Sequence, residues 1–514
     1  MEWQTPQNCK FERVIESDEM TDPTYHQVYN LPLPDKATVC HDLHVGLIVP
    51  PSPFVVPCGW EWVHVAPFEG PSIIASLLKG LGYRVTLLDQ REDVDPENLR
   101  PFLKDFDLIG ITCYEDCYPY LKRAAEIAKE ENKDRHVILG GPLVTAVPEL
   151  MMGDMVADFA IVGEGELTLT ELMDYISQND HAKSIREIKG LVWKNADNQI
   201  RVNPKRDQIK NLDVVPMQDF SVWKRFEGQD IPEIYLTYSR GCRGNCSFCF
   251  RAFPRLCYKS IQRVRQEILY YKKRNFKMAW WSDLTFVTDL DFISDLMDIA
   301  LTVHDFRWSC FNRVDTVNPS LFRKMRDRGC DIILYGLESV SPEILNEYRK
   351  RINRNKIINA IHVTREAGIK CGGLFIVGAP SETKASLLQL IDFCREFKEI
   401  TRIKYLALIP GTSNYKDAVK QGIIKDEIAH LHWLAAERSV EEDVDHPGFV
   451  MVAEQVTRED LKKTYITVNT MIEQRPYDYN SPANIFLGEN NKVEFVKRKA
   501  LTDHNSMMNT LDND

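Results

Sequence analysis

The chain has 514 residues, 44% of them hydrophobic and 27% charged, with a formal net charge of -11, the composition of a globular protein of two or three domains. The acidic balance, without a long Lys/Arg run, argues against a general nucleic-acid binder, and no apolar stretch reaches the roughly 18 residues of a membrane span. The first twenty residues lack the apolar core of a secretory signal, and thirteen irregularly spaced cysteines form no disulfide framework, so a cytoplasmic location is expected, where clustered cysteines suggest metal or catalysis.

Residues 1–42 are polar and aperiodic and are expected to form an arm on the body. Apolar runs at 45–49, 84–88, 108–112, 137–139 and 159–162 read as buried parallel strands. Helical patterns at 71–82, 118–131 and 166–176 lie between or after them. This alternation predicts a doubly wound, Rossmann-like α/β domain over 43–180. A hairpin pattern at 190–202 and a segment with three prolines at 203–233 make 181–233 a hairpin and linker. A second series comes next, with strands expected at 234–238, 278–282, 306–311, 332–336, 373–377 and 403–408. Helices are expected between them at 261–274, 290–303, 319–329, 356–368 and 384–397. Six such repeats over 234–415 suit a partial (β/α)6 barrel. The C-terminal region, 416–514, is less regular, and its last residues, 501–514, read as disordered.

The sharpest local signal is Arg240-Gly-Cys242-Arg-Gly-Asn-Cys246-Ser-Phe-Cys249. It comes directly after the first strand of the second series, where a barrel carries its active-site loops. Three thiolates are one short of a closed tetrahedral site, which leaves an open metal position. A structural zinc knot completed by Cys257 is the plainer reading of the same spacing.

This Cys-x3-Cys-x2-Cys pattern, with Phe248 before the last cysteine, resembles the signature of the radical S-adenosylmethionine (SAM) superfamily. The resemblance implies a [4Fe–4S] cluster on Cys242, Cys246 and Cys249, with SAM chelated at the remaining iron and Phe248 against the adenine. Downstream, Gly336-Leu-Glu338-Ser resembles the family's Gly-[ILV]-Glu-Ser element, and the strand containing Ile376 and Gly378 resembles its adenine-binding strand. Asp283 and Arg313 fall where polar, SAM-facing residues occur in the family. Pro410-Gly-Thr412 resembles the turn after its sixth strand.

Three loops at predicted strand ends of the first domain carry Thr112 and Tyr114, then Gly140, Gly141 and Pro142, then Gly163, Glu164 and Gly165. Ligands bind outside the carboxyl ends of strands in such sheets, although any one loop alone is also an ordinary tight turn. Together they resemble the cobalamin-binding domain that precedes the barrel in one radical SAM subfamily, which implies cobalamin as a further cofactor. Asp42-Leu-His44-Val-Gly46 looks like the motif of a cobalt-ligating histidine, but its glycine is one residue early and it precedes the first strand, so His44 is rejected as a ligand. The resemblance leaves the lower face of cobalt unassigned. Cys310, Cys330 and Cys371 read as core residues, Cys113 and Cys117 as incidental, and the cluster from Cys58 to His64 as a covering or packed loop.

The expected activity is methylation of an unactivated carbon in a small-molecule or natural-product substrate, through a 5′-deoxyadenosyl radical and methylcobalamin, with an electron donor such as a flavodoxin or ferredoxin. Alternatives are an oxidative cyclisation or rearrangement with the same cofactors, a barrel enzyme whose front domain is only scaffold, and a non-catalytic metal-stabilised sensor.

Overall fold

The computed structural model describes residues 43–51, 66–91, 93, 95–177, 183–303, 305–435, 443–446 and 449–474. The expected N-terminal arm, the loop from Cys58 to His64 and the tail at 501–514 lie outside them.

Uninterrupted aliphatic runs form strands because a parallel strand is buried on both faces. β1 (His44–Val49), β2 (Arg84–Asp89), β3 (Leu108–Thr112), β4 (His136–Gly140) and β5 (Phe159–Ile161) pair in parallel in the order β2-β1-β3-β4-β5. Val45, Leu47 and Leu108 meet the helices Glu69–Gly80 and Gly165–Ile176, whereas Ile48, Ile109 and Val137 meet the helix Tyr118–Glu131 on the opposite face. That alternation is the period-two signature of a strand covered on both sides. Strand order reverses between β1 and β3, and a doubly wound sheet opens its ligand crevice at such a point.

The predicted hairpin forms as β6 (Leu191–Lys194) and β7 (Ile200–Val202) and adds to β5 antiparallel, extending the sheet to seven strands. The segment expected as a linker is instead packed. Phe220 and Trp223 are buried, the Trp223 indole donates to Ser72 Oγ at 2.9 Å, and the Asp219 amide donates to Ser76 Oγ at 2.8 Å. Its apolar residues are too irregularly spaced to show a period. Phe220 also meets the Tyr271 ring at 5.0 Å, so the segment joins the helix Glu69–Gly80 to the second half of the chain.

β8 (Glu233–Leu236), β9 (Ser239–Arg240) and β10 (Cys257–Tyr258) open that second half. β9 and β10 pair with each other around the cysteine loop. β11 (Met278–Trp281), β12 (Arg307–Asn312), β13 (Cys330–Glu338), β14 (Lys370–Val377) and β15 (Ile400–Tyr405) continue from β8 in one parallel arc, in chain order. This is the open six-stranded barrel that the sequence predicts. Cys310 and Cys330 are buried among its apolar core residues. Short helices such as Pro142–Ala146, Pro148–Asp154 and Pro342–Glu347 escape a sequence reading because one or two turns show no period. The irregular C-terminal region contains the helices Glu427–Leu434 and Arg458–Glu473, the second packing on β15 and the helix Lys384–Glu396. Among the described residues no helix is long and apolar enough to cross a membrane.

Candidate active site between the two sheets

The carboxyl ends of β3, β4 and β5 face those of β8 and β11 across a cavity of about 490 Å³. Thr112, Tyr114, Gly140, Gly141, Pro142, Gly163, Glu164 and Gly165 all line it from the first sheet. Its floor is apolar and runs between the sheet and the flanking helices, past Leu47, Ile74, Leu108 and Ile138. A Cβ placed on Gly140 or Gly163 would meet nothing within 4 Å, so both present bare backbone to open space. Gly141 is different: at φ 104° its Cβ would lie 2.9 Å from the Cys113 carbonyl oxygen, so only glycine lets the β4 loop close onto the β3 loop. Glu164 contributes backbone to the wall, while its carboxylate turns to the barrel. It accepts from Arg240 at 2.7 Å and from the Ile209 amide at 2.5 Å.

His44 starts β1, at the opposite end of the sheet from this cavity. Its Nδ1 pairs with the Asp105 carbonyl at 3.0 Å and its Nε2 with Thr86 Oγ1 at 2.9 Å. Both ring nitrogens therefore have structural partners.

On the barrel side, the cysteine loop leaves β9 through Gly241, at φ 97°, where a Cβ would overlap the Arg255 carbonyl. Cys242 and Cys246 are half-buried and Cys249 is exposed. A Cβ on Gly244 would stand 3.3 Å from Cys242 Sγ, 3.7 Å from Cys246 Sγ and 3.5 Å from the Arg313 guanidinium, which places two thiols and a cation around one point of the loop. Cys257 packs instead with Ile73, Leu77, Ile209 and Leu212.

The rim beside the thiols is made of charges already paired within the protein. Lys350 Nζ donates to Glu338 Oε1 at 2.7 Å, both side chains being buried. Glu338 has a left-handed backbone, φ 63°, at a register shift between β13 and β14, a local strain that turns its carboxylate inward. Gly336 lies beneath this pair, and a Cβ there would collide with Glu338 Oε1 and come within 3.0 Å of Lys350 Nζ. Arg313 donates to Asp315 at 2.9 Å and to the Lys350 carbonyl at 2.8 Å. Phe248 and Ile376 join a small apolar cluster with Tyr348, whose ring meets Phe248 edge-on at 4.9 Å. Gly378 directly follows β14 and donates its amide to Glu382 at 3.1 Å. Asp283 lines the cavity, but its carboxylate accepts from the Ser239 amide at 2.7 Å and hydroxyl at 2.5 Å, which anchors the strand leading to the cysteines. Burial pushes that carboxyl up to about 7.

Residues 236–394 match the family model of the radical SAM superfamily, and residues 69–173 match that of the B12 binding domain. A relative from Pyrococcus horikoshii named as the uncharacterized methyltransferase PH0819 is 30% identical over 348 residues, covering 65% of this chain and 74% of the relative. The chain belongs to the radical SAM superfamily. More narrowly, it is a radical SAM enzyme of the branch with a cobalamin-binding domain before the barrel. Bacteriochlorophyllide d C-8(2)-methyltransferase of Chlorobaculum tepidum is 28% identical, with 63% of this chain and 70% of the relative aligned. The fold is also that of the radical SAM methyltransferase TsrM from Kitasatospora setae, solved with cobalamin and a [4Fe–4S] cluster bound. There the TM-score is 0.60 and the identity 16%, over 74% of this chain and 75% of TsrM.

The enzyme's cofactors are accordingly a [4Fe–4S] cluster, SAM and cobalamin, and the residues present suit them. Among the described residues no three His, Cys, Asp or Glu side chains converge on a point where one metal ion would sit. A cubane binds each cysteine at a different iron, so it needs thiols spread around an open loop, not converged as zinc requires. With Cys257 packed away and the family shown, the zinc-knot and sensor readings fall. The glycine loops and the apolar floor fit a large flat cofactor that also carries an aromatic base. Sequence reasoning missed Lys350 and Arg240. Lys350 lies outside every recognised motif; Arg240 stood in plain view as the first residue of the cysteine segment.

Proposed function

We propose that the enzyme methylates an unactivated carbon of a small-molecule substrate held where the cavity meets the barrel mouth. The observation that carries this reading is the shared cavity: one space is walled by the glycine loops of the first sheet and by Ser239, Gly241, Ser282 and Asp283 at the barrel strand ends. The cysteine loop leaves the barrel at Gly241, on the wall of that same space, an arrangement that suits a reaction drawing on both cofactors. When bound, the cluster with SAM supplies a 5′-deoxyadenosyl radical, and cobalamin supplies a methyl group.

In this reading Cys242, Cys246 and Cys249 hold the cluster. Gly336, Glu338, Arg313 and Gly378 receive SAM's polar end and backbone-facing edge, with Lys350 fixing the Glu338 carboxylate. Phe248 and Ile376 wall the adenine. Thr112, Tyr114, Gly140, Gly141, Pro142, Gly163, Glu164 and Gly165 form the cobalamin face, and Asp283 acts through the cysteine loop it anchors. The apolar floor limits the water that can gather at a reactive centre. A cytoplasmic location, and a flavodoxin or ferredoxin as electron donor, belong to the same proposal.

The test is anaerobic reconstitution of the full chain with iron, sulfide, cobalamin, SAM and a reductant, followed by metal analysis and product chromatography. Cobalt bound beside the cluster, with both S-adenosylhomocysteine and 5′-deoxyadenosine formed, is the expected result. 5′-Deoxyadenosine without S-adenosylhomocysteine would replace methylation by cyclisation or rearrangement.

A further inference from the structure

Arg240 stands two residues before Cys242 and is the place where the barrel grips the first domain. Its guanidinium donates at 2.7 Å to Glu164 and at 2.7 Å to Glu166, two carboxylates on either side of Gly165 where the β5 loop enters the helix Gly165–Ile176 at the cavity wall. The Arg240 side chain is 17% exposed, Glu164 4% and Glu166 5%, so the three charges are held largely away from water. Glu164 is fixed from its other oxygen by the Ile209 amide at 2.5 Å, and Arg240 is fixed by the pairing of β9 with Cys257 of β10. A second contact, Thr237 to Glu69 at 2.5 Å, spans the same cavity from the neighbouring barrel residue. A planar guanidinium presents two separate nitrogens in a fixed fork, one to each carboxylate, a geometry that the single nitrogen of an ammonium does not reproduce.

A buried ion triad is weak support for stability by itself, because desolvation offsets the attraction. Its location is more informative. One end is covalently two residues from the first cluster ligand; the other is the loop whose backbone walls the cobalamin cavity.

We infer that Arg240 is a positioning residue that sets the registry between the cluster loop and the cobalamin face through Glu164 and Glu166. The inference rests on the proposed function, in that both cofactors bind across this cavity. Misplacement by about 1 Å is enough to cost a reaction heavily, so a rigid tie between the two walls has a clear use.

The test uses full-length enzyme carrying cob(II)alamin and the reduced cluster, two paramagnets whose magnetic coupling reports their separation by pulsed electron paramagnetic resonance. Native protein, Arg240→Gln, Arg240→Lys and the triple variant Arg240→Gln/Glu164→Gln/Glu166→Gln are compared at equal iron and cobalt content. The triple variant leaves no unpaired buried charge, so it keeps the test open if Arg240→Gln alone folds poorly. A shifted and broadened separation in Arg240→Gln and the triple variant is expected, with partial return in Arg240→Lys. An unchanged separation in the triple variant, with both cofactors bound, overturns the inference while leaving the proposed function standing. Native protein that binds both cofactors without any coupling overturns the proposed function and the inference together.

Discussion

On the first-sheet side of the cavity Gly140 and Gly163 offer bare backbone to open space, whereas in the barrel Asp283, at the cavity, and Glu338, Lys350 and Arg313, beside the cysteine loop and outside the cavity lining, already have partners within the protein. The first wall suits a large rigid cofactor recognised by shape, where each added methyl group would displace ligand. The second suits a small zwitterion, whose amine and carboxylate need charges fixed in advance so that binding need not order them. One wall is therefore sensitive to added volume and the other to lost charge.

The largest expected effect is on the barrel wall. Cys246→Ala is expected to leave the protein folded but without a stable cluster, reducing 5′-deoxyadenosine formation to background; retained iron and SAM cleavage would remove Cys246 from the ligand set. Next is Lys350→Met, which strands a buried Glu338 carboxylate and is expected to cost about 3–5 kcal/mol in denaturant unfolding. Pairing it with Glu338→Gln is expected to recover most of that loss, and failure to recover would mean that Lys350 packs and does not neutralise.

Volume is the probe on the other wall. Gly141→Ala forces a side chain at φ 104° against the Cys113 carbonyl and is expected to destabilise by about 1–3 kcal/mol. Gly140→Leu has room in the apoprotein and is expected to leave its melting temperature unchanged, yet to weaken cobalamin about tenfold, or ~1.4 kcal/mol, by equilibrium titration. Equal effects of the two substitutions on stability would erase the distinction between packed and ligand-facing glycines.

The smallest effect is a pH dependence. Asp283 has its folded value raised to about 7 by burial, so its contribution to stability is present below the ordinary aspartate range and lost as pH rises through about 7. Asp283→Asn keeps an oxygen acceptor toward Ser239 and removes the charge. Its melting temperature is expected to gain on the native protein between about pH 5 and 8, by about 2–4 °C. A gap independent of pH would show that the carboxyl does not titrate there.

The local sequence determined much of this protein. Aliphatic runs specified β1, β3 and β4, because burial on both faces admits little else, shorter runs of aliphatic and aromatic residues specified the barrel strands, and the three cysteines with their glycines specified the cluster loop. Glycine at 140, 141 and 163 marked where the first sheet is open, although one sequence could not say that Gly141 faces the Cys113 backbone while Gly140 faces empty space. The connecting segment read as loose because its buried residues, Phe220 and Trp223, have no regular spacing, and only their docking against Ser72 and Ser76 makes them core. Lys350 was illegible for a similar reason. Its partner Glu338 lies twelve residues away across a helix, and no local pattern announces a pair formed by chain reversal. Arg240 was visible but mute, since its meaning depends on two carboxylates more than seventy residues earlier. Chemistry carried by neighbouring residues was thus set by the sequence itself, while the partnering of distant charges, and the single cavity that two sheets enclose, were decided by tertiary packing, because only the folded chain brings those groups within hydrogen-bonding reach.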